Sequence, residues 1–230
     1  MRKTILLLMA VSLSFFVLTS CSKDEEDDEP KKNVNNSLLL KCPDDHHPHA
    51  IDLGLPSGTK WCCCNVGAKT PEDYGGYYAW GETSEKSIYN WDTYAYCYKG
   101  RTCLDIGYDI AGTKYDVAHV LMGGSWRMPS IEQIRELMHN CTRTWTTLNG
   151  VGGTLITGKN GGQIFLPPAG FIWDDVLDLE GTGGFFWSST FDFDQYALNF
   201  SCSSGYWEPV YWETVDYYRG GGESVRAVCP

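Results

Sequence analysis

Basic residues are scarce in this chain: 18 Lys and Arg stand against 29 Asp and Glu in 230 residues, a formal net charge of -11. Phosphate backbones are held by Lys and Arg, so a nucleic-acid partner is excluded. Beyond residue 20 there is no apolar run long enough to cross a bilayer, which takes about 20 residues. Cysteines at C-x2-C spacing are missing, which removes the usual zinc pattern. No G-x-S-x-G elbow supplies a serine nucleophile. The Gly-rich runs at 181–184 and 220–222 lack the helix and Lys of a phosphate loop and read as turns, so nucleotide binding is excluded. Paired carboxylates such as Asp174, Asp175, Asp178 and Glu180 are too abundant to single out a glycosidase pair. Charged residues make up only 20% of the chain while aromatics reach 14%, which excludes a wholly disordered protein.

What is present begins with an address. Met1-Arg2-Lys3 is a short basic segment, and Ile5 to Leu18 is apolar apart from Ser12 and Ser14. Leu18-Thr19-Ser20-Cys21 follows and resembles a bacterial lipobox, in which the signal is cleaved and the Cys takes the lipid. The reading is therefore a signal peptide over 1–20, lipidation at Cys21, and a membrane partner reached through the N-terminal lipid. Six consecutive acids, Asp24 to Glu29, stand just behind Cys21 and are similar to the surface-export signal of Bacteroidota lipoproteins. This places the chain at the outer membrane, facing outward. Residues 21–49 read as an acidic tether with eight acids and four bases, a charge of -4. His46-His47-Pro48-His49, with Asp44 and Asp45, holds metal-binding residue types. Pro48 and the lack of a scaffold favour a solvated tether, and no metal or cofactor is expected.

Nine cysteines remain after Cys21, an odd number that cannot pair fully within one chain. Cys97 and Cys103 are placed for a local bridge. Cys62-Cys63-Cys64 on a strand would alternate faces, and most of the others read as small buried residues.

Residues 50–230 form the domain, with short strands and few helices. Strands are expected at 50–53, 60–66, 185–188, 196–202 and 224–229, and a short helix or turn at 116–122. Ser130 and Gln133 make a capping-box pattern ahead of a helix over 131–139, whose Ile131, Ile134, Leu137 and Met138 share a face. Thr154–Thr157 and Gln163–Leu166 flank Asn160-Gly161, a hairpin turn that asks for positive φ at both residues. His119 and Asp116 read as structural rather than as parts of a triad.

Aromatics concentrate near the end: residues 191–223 hold ten in 33 positions, about twice the chain average. A mixture of Tyr and Trp with Ser, Gly, Asn and Asp suits a binding face, rigid rings giving area and small polar residues adaptable hydrogen bonds. The candidate ligand-binding residues are Tyr196, Tyr206, Trp207, Tyr211, Trp212, Tyr217 and Tyr218. Alternation along a strand puts Trp207, Tyr211 and Tyr217 on the exposed side.

A string of motifs runs through the domain. Ile51-Asp52-Leu53-Gly54-Leu55-Pro56-Ser57-Gly58 leads to Cys64-Asn65-Val66-Gly67-Ala68, then to Tyr78-Ala79-Trp80-Gly81-Glu82. Gly124-Ser125-Trp126-Arg127-Met128-Pro129-Ser130, Trp187-Ser188-Ser189-Thr190 and Ser224-Val225-Arg226 follow. In this order they resemble the Fibrobacter succinogenes major paralogous domain family over roughly residues 48–230. The resemblance implies an α+β, C-type-lectin-like fold, shared with formylglycine-generating enzymes, in which both chain ends meet in a small sheet. It also implies a surface lipoprotein that binds an extracellular protein or glycan ligand through its C-terminal face. The position of that face further suggests a diversified adhesin. The alternative is an enzyme or enzyme accessory on the formylglycine-generating-enzyme-like fold, with Cys202 and Cys229 as thiols by position. Calcium-bound sugar recognition is disfavoured: Glu208-Pro209 is followed by Val210, and Trp173-Asp174-Asp175 lies in the wrong order.

Overall fold

A computed structural model describes residues 42–98, 102–204 and 211–230, with only the backbone described for Tyr211 and Trp212. Cys21, Tyr206, Trp207 and Glu208 lie outside the described residues.

The described residues carry two helices and many short antiparallel strands, an α+β architecture. The entry strands β1 (Ala50–Asp52) and β2 (Lys60–Cys62) pair with each other, and β2 also pairs with the last strand, β13 (Val228–Cys229). The start and end of the domain therefore share one sheet. The largest sheet is β10 (Gly183–Phe191), β11 (Tyr196–Ser203) and β12 (Tyr211–Tyr218). A third comprises β5 (Thr142–Leu148), β6 (Val151–Thr157) and β7 (Gln163–Leu166). Two hairpins complete the set, β3 (Cys97–Tyr98) with β4 (Thr102–Cys103), and β8 (Phe171–Trp173) with β9 (Val176–Asp178). A Cys97–Cys103 disulfide joins the first of these, as the spacing suggested.

Side-chain alternation sends neighbouring residues into two of the three buried clusters found among the described residues. Trp61, Phe186, Phe200 and Val228 enter one buried cluster with the apolar face of α2 (Ile131–Asn140). Cys62, Trp187, Ala197 and Ala227, their neighbours or near neighbours along the same segments, enter the other. Cys63 and Cys64 lie in that second cluster too, so the three cysteines do not alternate between core and solvent. The chain leaves the ladder after Cys62, and both faces of the segment are covered.

The helices follow their caps. Ser130 accepts from the Gln133 amide at 3.3 Å, and the Gln133 side chain accepts from the Ser130 amide at 3.0 Å, the reciprocal box expected from the sequence. Ser130→Ala should lower stability by about 1 kcal/mol. In a domain of this size that is about 2–4 °C in thermal midpoint, readable by circular dichroism. Helix α1 (Val117–Met122) is capped by Asp116, whose carboxylate accepts the amides of Gly112, His119 and Met128 at 2.8, 3.0 and 2.9 Å. Every described partner of that carboxylate is a backbone amide, which is the structural role expected of it.

Three local readings change. At the hairpin turn only Gly161 has positive φ; Asn160 works instead through its side chain, accepting the Gly162 amide and donating to the Asp52 carbonyl. Gly183 and Gly184 open β10 rather than forming a turn. Residues 42–49, assigned to the tether, are in part docked. Cys42 packs against the second core cluster, and Cys63 donates its amide to the His49 carbonyl at 3.0 Å. Among the described residues no helix is long and apolar enough to cross a membrane.

Candidate functional site

Cross-strand register places Tyr196 of β11 directly opposite Tyr218 of β12. Their ring centroids are 4.9 Å apart. Phe193 stacks on the outer side of Tyr196 at 4.8 Å. On the other side Trp91 and Trp173 each lie 5.4 Å from Tyr218, and meet each other edge to face at 5.8 Å. The band then runs through Tyr217 to Phe171 and Phe185, with edge-to-face contacts of 5.2 and 5.1 Å. Phe193 is 55% exposed and the other rings are half-buried. Such contacts add about 0.5–1.5 kcal/mol each beyond area burial. The rings therefore brace one another while each keeps an edge or face in solvent.

The rings come from five separate segments, the Trp91 loop and strands β8, β10, β11 and β12, which backbone pairing holds together. Tyr89 and Asp174 exchange amide–carbonyl bonds of 2.7 and 2.8 Å, which holds the Trp91 loop against the tip of the β8–β9 hairpin. The Asn90 amide nitrogen donates to Asp174 Oδ1 at 2.7 Å across the same junction. Ile172 and Gly222 exchange bonds of 2.8 and 2.9 Å, tying that hairpin to the chain beyond β12. Gly170, at φ +69°, is where the hairpin departs; a Cβ there would collide with the Asp178 carbonyl, so only glycine allows the approach.

Beneath the band lie two buried ionisable groups. Arg219 stacks over the Trp80 ring at 4.8 Å and donates to the Tyr94 hydroxyl at 3.0 Å. It also donates to the carbonyls of Asp194 and Leu104, each at 3.3 Å, bracing the turn that carries Phe193. Glu223 is wholly buried and accepts from the Asn199 amide nitrogen at 2.7 Å, while its second oxygen has no partner among the described residues. Burial pushes its carboxyl up to about 8, against the lowering effect of that hydrogen bond. Tyr217 is pushed up to about 12, first by burial and then by the nearby Glu223.

The exposed Asp92, Asp174, Asp194 and Asp216 flank the rings in sequence and give the band an acidic rim. At the Phe193 end a cleft of about 340 Å³ is lined by residues including Leu104, Ile106, Tyr108, Phe191 and Arg219.

Of the seven residues expected to bind ligand, Tyr196, Tyr217 and Tyr218 come together in the band. Tyr206 and Trp207 lie outside the described residues, and the side chains of Tyr211 and Trp212 are not described. Tyr217, expected on the exposed side, is half-buried with its ring 6.4 Å from that of buried Trp187. It pairs across the strands with Ala197, which belongs to the core, and paired residues share a face. Trp91, Phe171, Trp173 and Phe185 were not among the expected site residues, because a window of local aromatic density cannot see rings that arrive from distant loops. Metal-ligating side chains converge elsewhere, at Cys42, His47, His49 and Cys63.

Comparison with protein-family models, with characterised proteins and with solved structures finds no match to this chain.

Proposed function

We propose that this chain is a lipid-anchored surface protein of the Fibrobacter succinogenes major paralogous domain family, whose C-type-lectin-like domain holds an extracellular protein or glycan on the aromatic band. The observation that carries the reading is the band itself. Rings from five segments are fixed by backbone pairing into a continuous, half-open surface, as recognition by rigid anchors requires.

The family part of the reading is supported by how its motif residues meet. Asn65 accepts from buried Arg226 at 2.9 Å, and Val66 donates its amide to Val225 at 2.9 Å. The Trp80 indole donates to the Ser188 carbonyl at 2.9 Å, and the Trp187 indole to Tyr78 at 2.8 Å. Ser189 donates to Pro129 at 2.8 Å. Motifs far apart in the chain are thus mutual partners, which explains their residue types structurally and leaves binding to the less constrained loops. The return of β13 to β2 supports the C-type-lectin-like part. Lipidation at Cys21 and outward display at the outer membrane rest on the sequence of residues 1–29.

An enzymatic reading through Cys202 and Cys229 is less favoured. Burial pushes the Cys202 thiol up to about 12 and raises Cys229 too, away from the thiolate that such chemistry uses. The acidic rim favours neutral or basic ligand surfaces over sulfated or phosphorylated ones.

The test is to screen residues 22–230 on arrays of glycans and host or bacterial surface proteins. Binding to a neutral glycan or a basic protein patch is the expected outcome. Binding confined to polyanions, or turnover of a thiol or glycan substrate, would contradict the proposal.

A further inference from the structure

Where the chain enters the domain, apart from the rings, Cys42, His47, His49 and Cys63 converge. One ligand atom from each, two thiol sulfurs and two imidazole nitrogens, lies within 4.8 Å of all the others. A tetrahedral zinc with Zn–S about 2.3 Å and Zn–N about 2.0–2.1 Å sets its ligand atoms roughly 3.3–3.8 Å apart. His47 Nδ1 is 3.2 Å and His49 Nδ1 3.7 Å from Cys63 Sγ, already at that spacing.

The scaffold that the sequence of residues 46–49 did not reveal is the first β ladder. Ala50 pairs with Cys62, so His49 and Cys63 stand opposite each other one step further along. The Cys63 amide donates to the His49 carbonyl and the His49 amide to Cys63 Sγ, both at 3.0 Å. Two of the four ligands are thus set by strand geometry, and the other two by the segment leading into it.

The surrounding groups are those a metal site needs. Asp44 Oδ1 lies 3.1 Å from His49 Nε2, so the proton sits on Nε2 and Nδ1 presents its lone pair towards Cys63. Asp44 is itself held by the His46 amide at 2.7 Å. The His47 and His49 rings meet edge to face at 5.0 Å. Under the site, buried Arg226 donates to the carbonyls of Cys62 and Cys63, fixing the backbone that carries the central sulfur.

We propose that Cys42, His47, His49 and Cys63 form a structural zinc site that clamps the end of the tether to the first strands of the domain. Two thiolates and two imidazoles in a tetrahedral set favour zinc among the common divalent metals. Four protein ligands close the coordination sphere, so the site is structural rather than catalytic. Its place in the chain gives it a purpose: it fixes where the leash ends and the rigid module begins.

The test is elemental analysis of the full chain purified under reducing, metal-replete conditions, followed by cobalt exchange. About one zinc per chain is expected, together with a cobalt spectrum showing thiolate charge transfer and tetrahedral d–d bands. Cys42→Ser and His47→Ala, both at half-buried positions, should each weaken zinc binding by at least about 100-fold while the far-ultraviolet dichroism stays native. Asp44→Asn should weaken it by about 10–100-fold, as loss of an outer-shell partner does. Cys141→Ser, at a cysteine outside the cluster, should bind zinc as the unaltered chain does. No zinc in the unaltered chain, undiminished zinc in Cys42→Ser, or a Cys42–Cys63 disulfide in peptide mass spectra under these conditions would overturn the proposal.

Discussion

Arg226→Ala is expected to lower stability by more than about 4 kcal/mol, the range of severe core lesions. The guanidinium is wholly buried and donates to four acceptors from two segments: Asn65 Oδ1 and the carbonyls of Cys62, Cys63 and Phe165, at 2.6–3.0 Å. Removing it leaves those acceptors dry and unpaired, at about 1–3 kcal/mol each before relaxation. Against a total stability of about 5–15 kcal/mol, that is enough to unfold a marginal domain. Arg226→Lys keeps the charge but not the planar fork, so it should recover only part of the loss. Thermal melts of the two variants check both statements. A drop of less than about 5 °C in Arg226→Ala would mean that water replaces the guanidinium, and that the join between the chain ends is looser than described.

The second large effect is a pH dependence set beneath the aromatic band. Glu223 titrates near 4.5 in an unfolded chain and near about 8 when buried in the fold, with burial the main cause. Between those values the folded chain holds a proton that the unfolded chain has lost. Stability is therefore full below about 4.5, falls as pH rises, and levels off above about 8. The slope from one such group is about 1.4 kcal/mol per pH unit. Glu223→Gln supplies a neutral amide in place of the protonated acid and should remove that slope. At pH 8.5 it should melt roughly 10–20 °C above the unaltered chain, since about 3.5 pH units at that slope come to about 5 kcal/mol, on the scaling of 2–4 °C per kcal/mol. At pH 4.5 the two should melt together. Equal slopes for the two proteins would show that Glu223 is ionised in the fold at neutral pH.

Local signals in the sequence were legible where the physics is local. The capping box at Ser130 and Gln133, the apolar face of α2 and the Gly161 turn all depend on residues within a few positions of one another. Strand β12 lay in a segment valued for its aromatics, and its pairing with β11 appears only once the long-range register is known. The band shows the same division. Tyr196, Tyr217 and Tyr218 were visible because they are close together and numerous, whereas Trp91 and Trp173 reach Tyr218 through backbone pairing between distant loops. His47 and His49 read as tether for a related reason: their partner Cys63 lies 16 and 14 residues away, on the other strand of the ladder. Arg226 gave no warning of its burial, because only the fold assembles four acceptors around one fork.

The reading of this chain as a binding module stands or falls with the band. The most direct measurement compares affinities for the best ligand from the array between two pairs of variants. Trp173→Ala and Tyr196→Ala alter the band, and Val120→Ala and Leu121→Ala alter exposed apolar side chains of α1 outside it. The band variants are expected to lose at least about 30-fold, the loss of a 2 kcal/mol anchor, while still melting cooperatively above the assay temperature, and the α1 variants less than about threefold. Undiminished binding by both band variants would contradict the account.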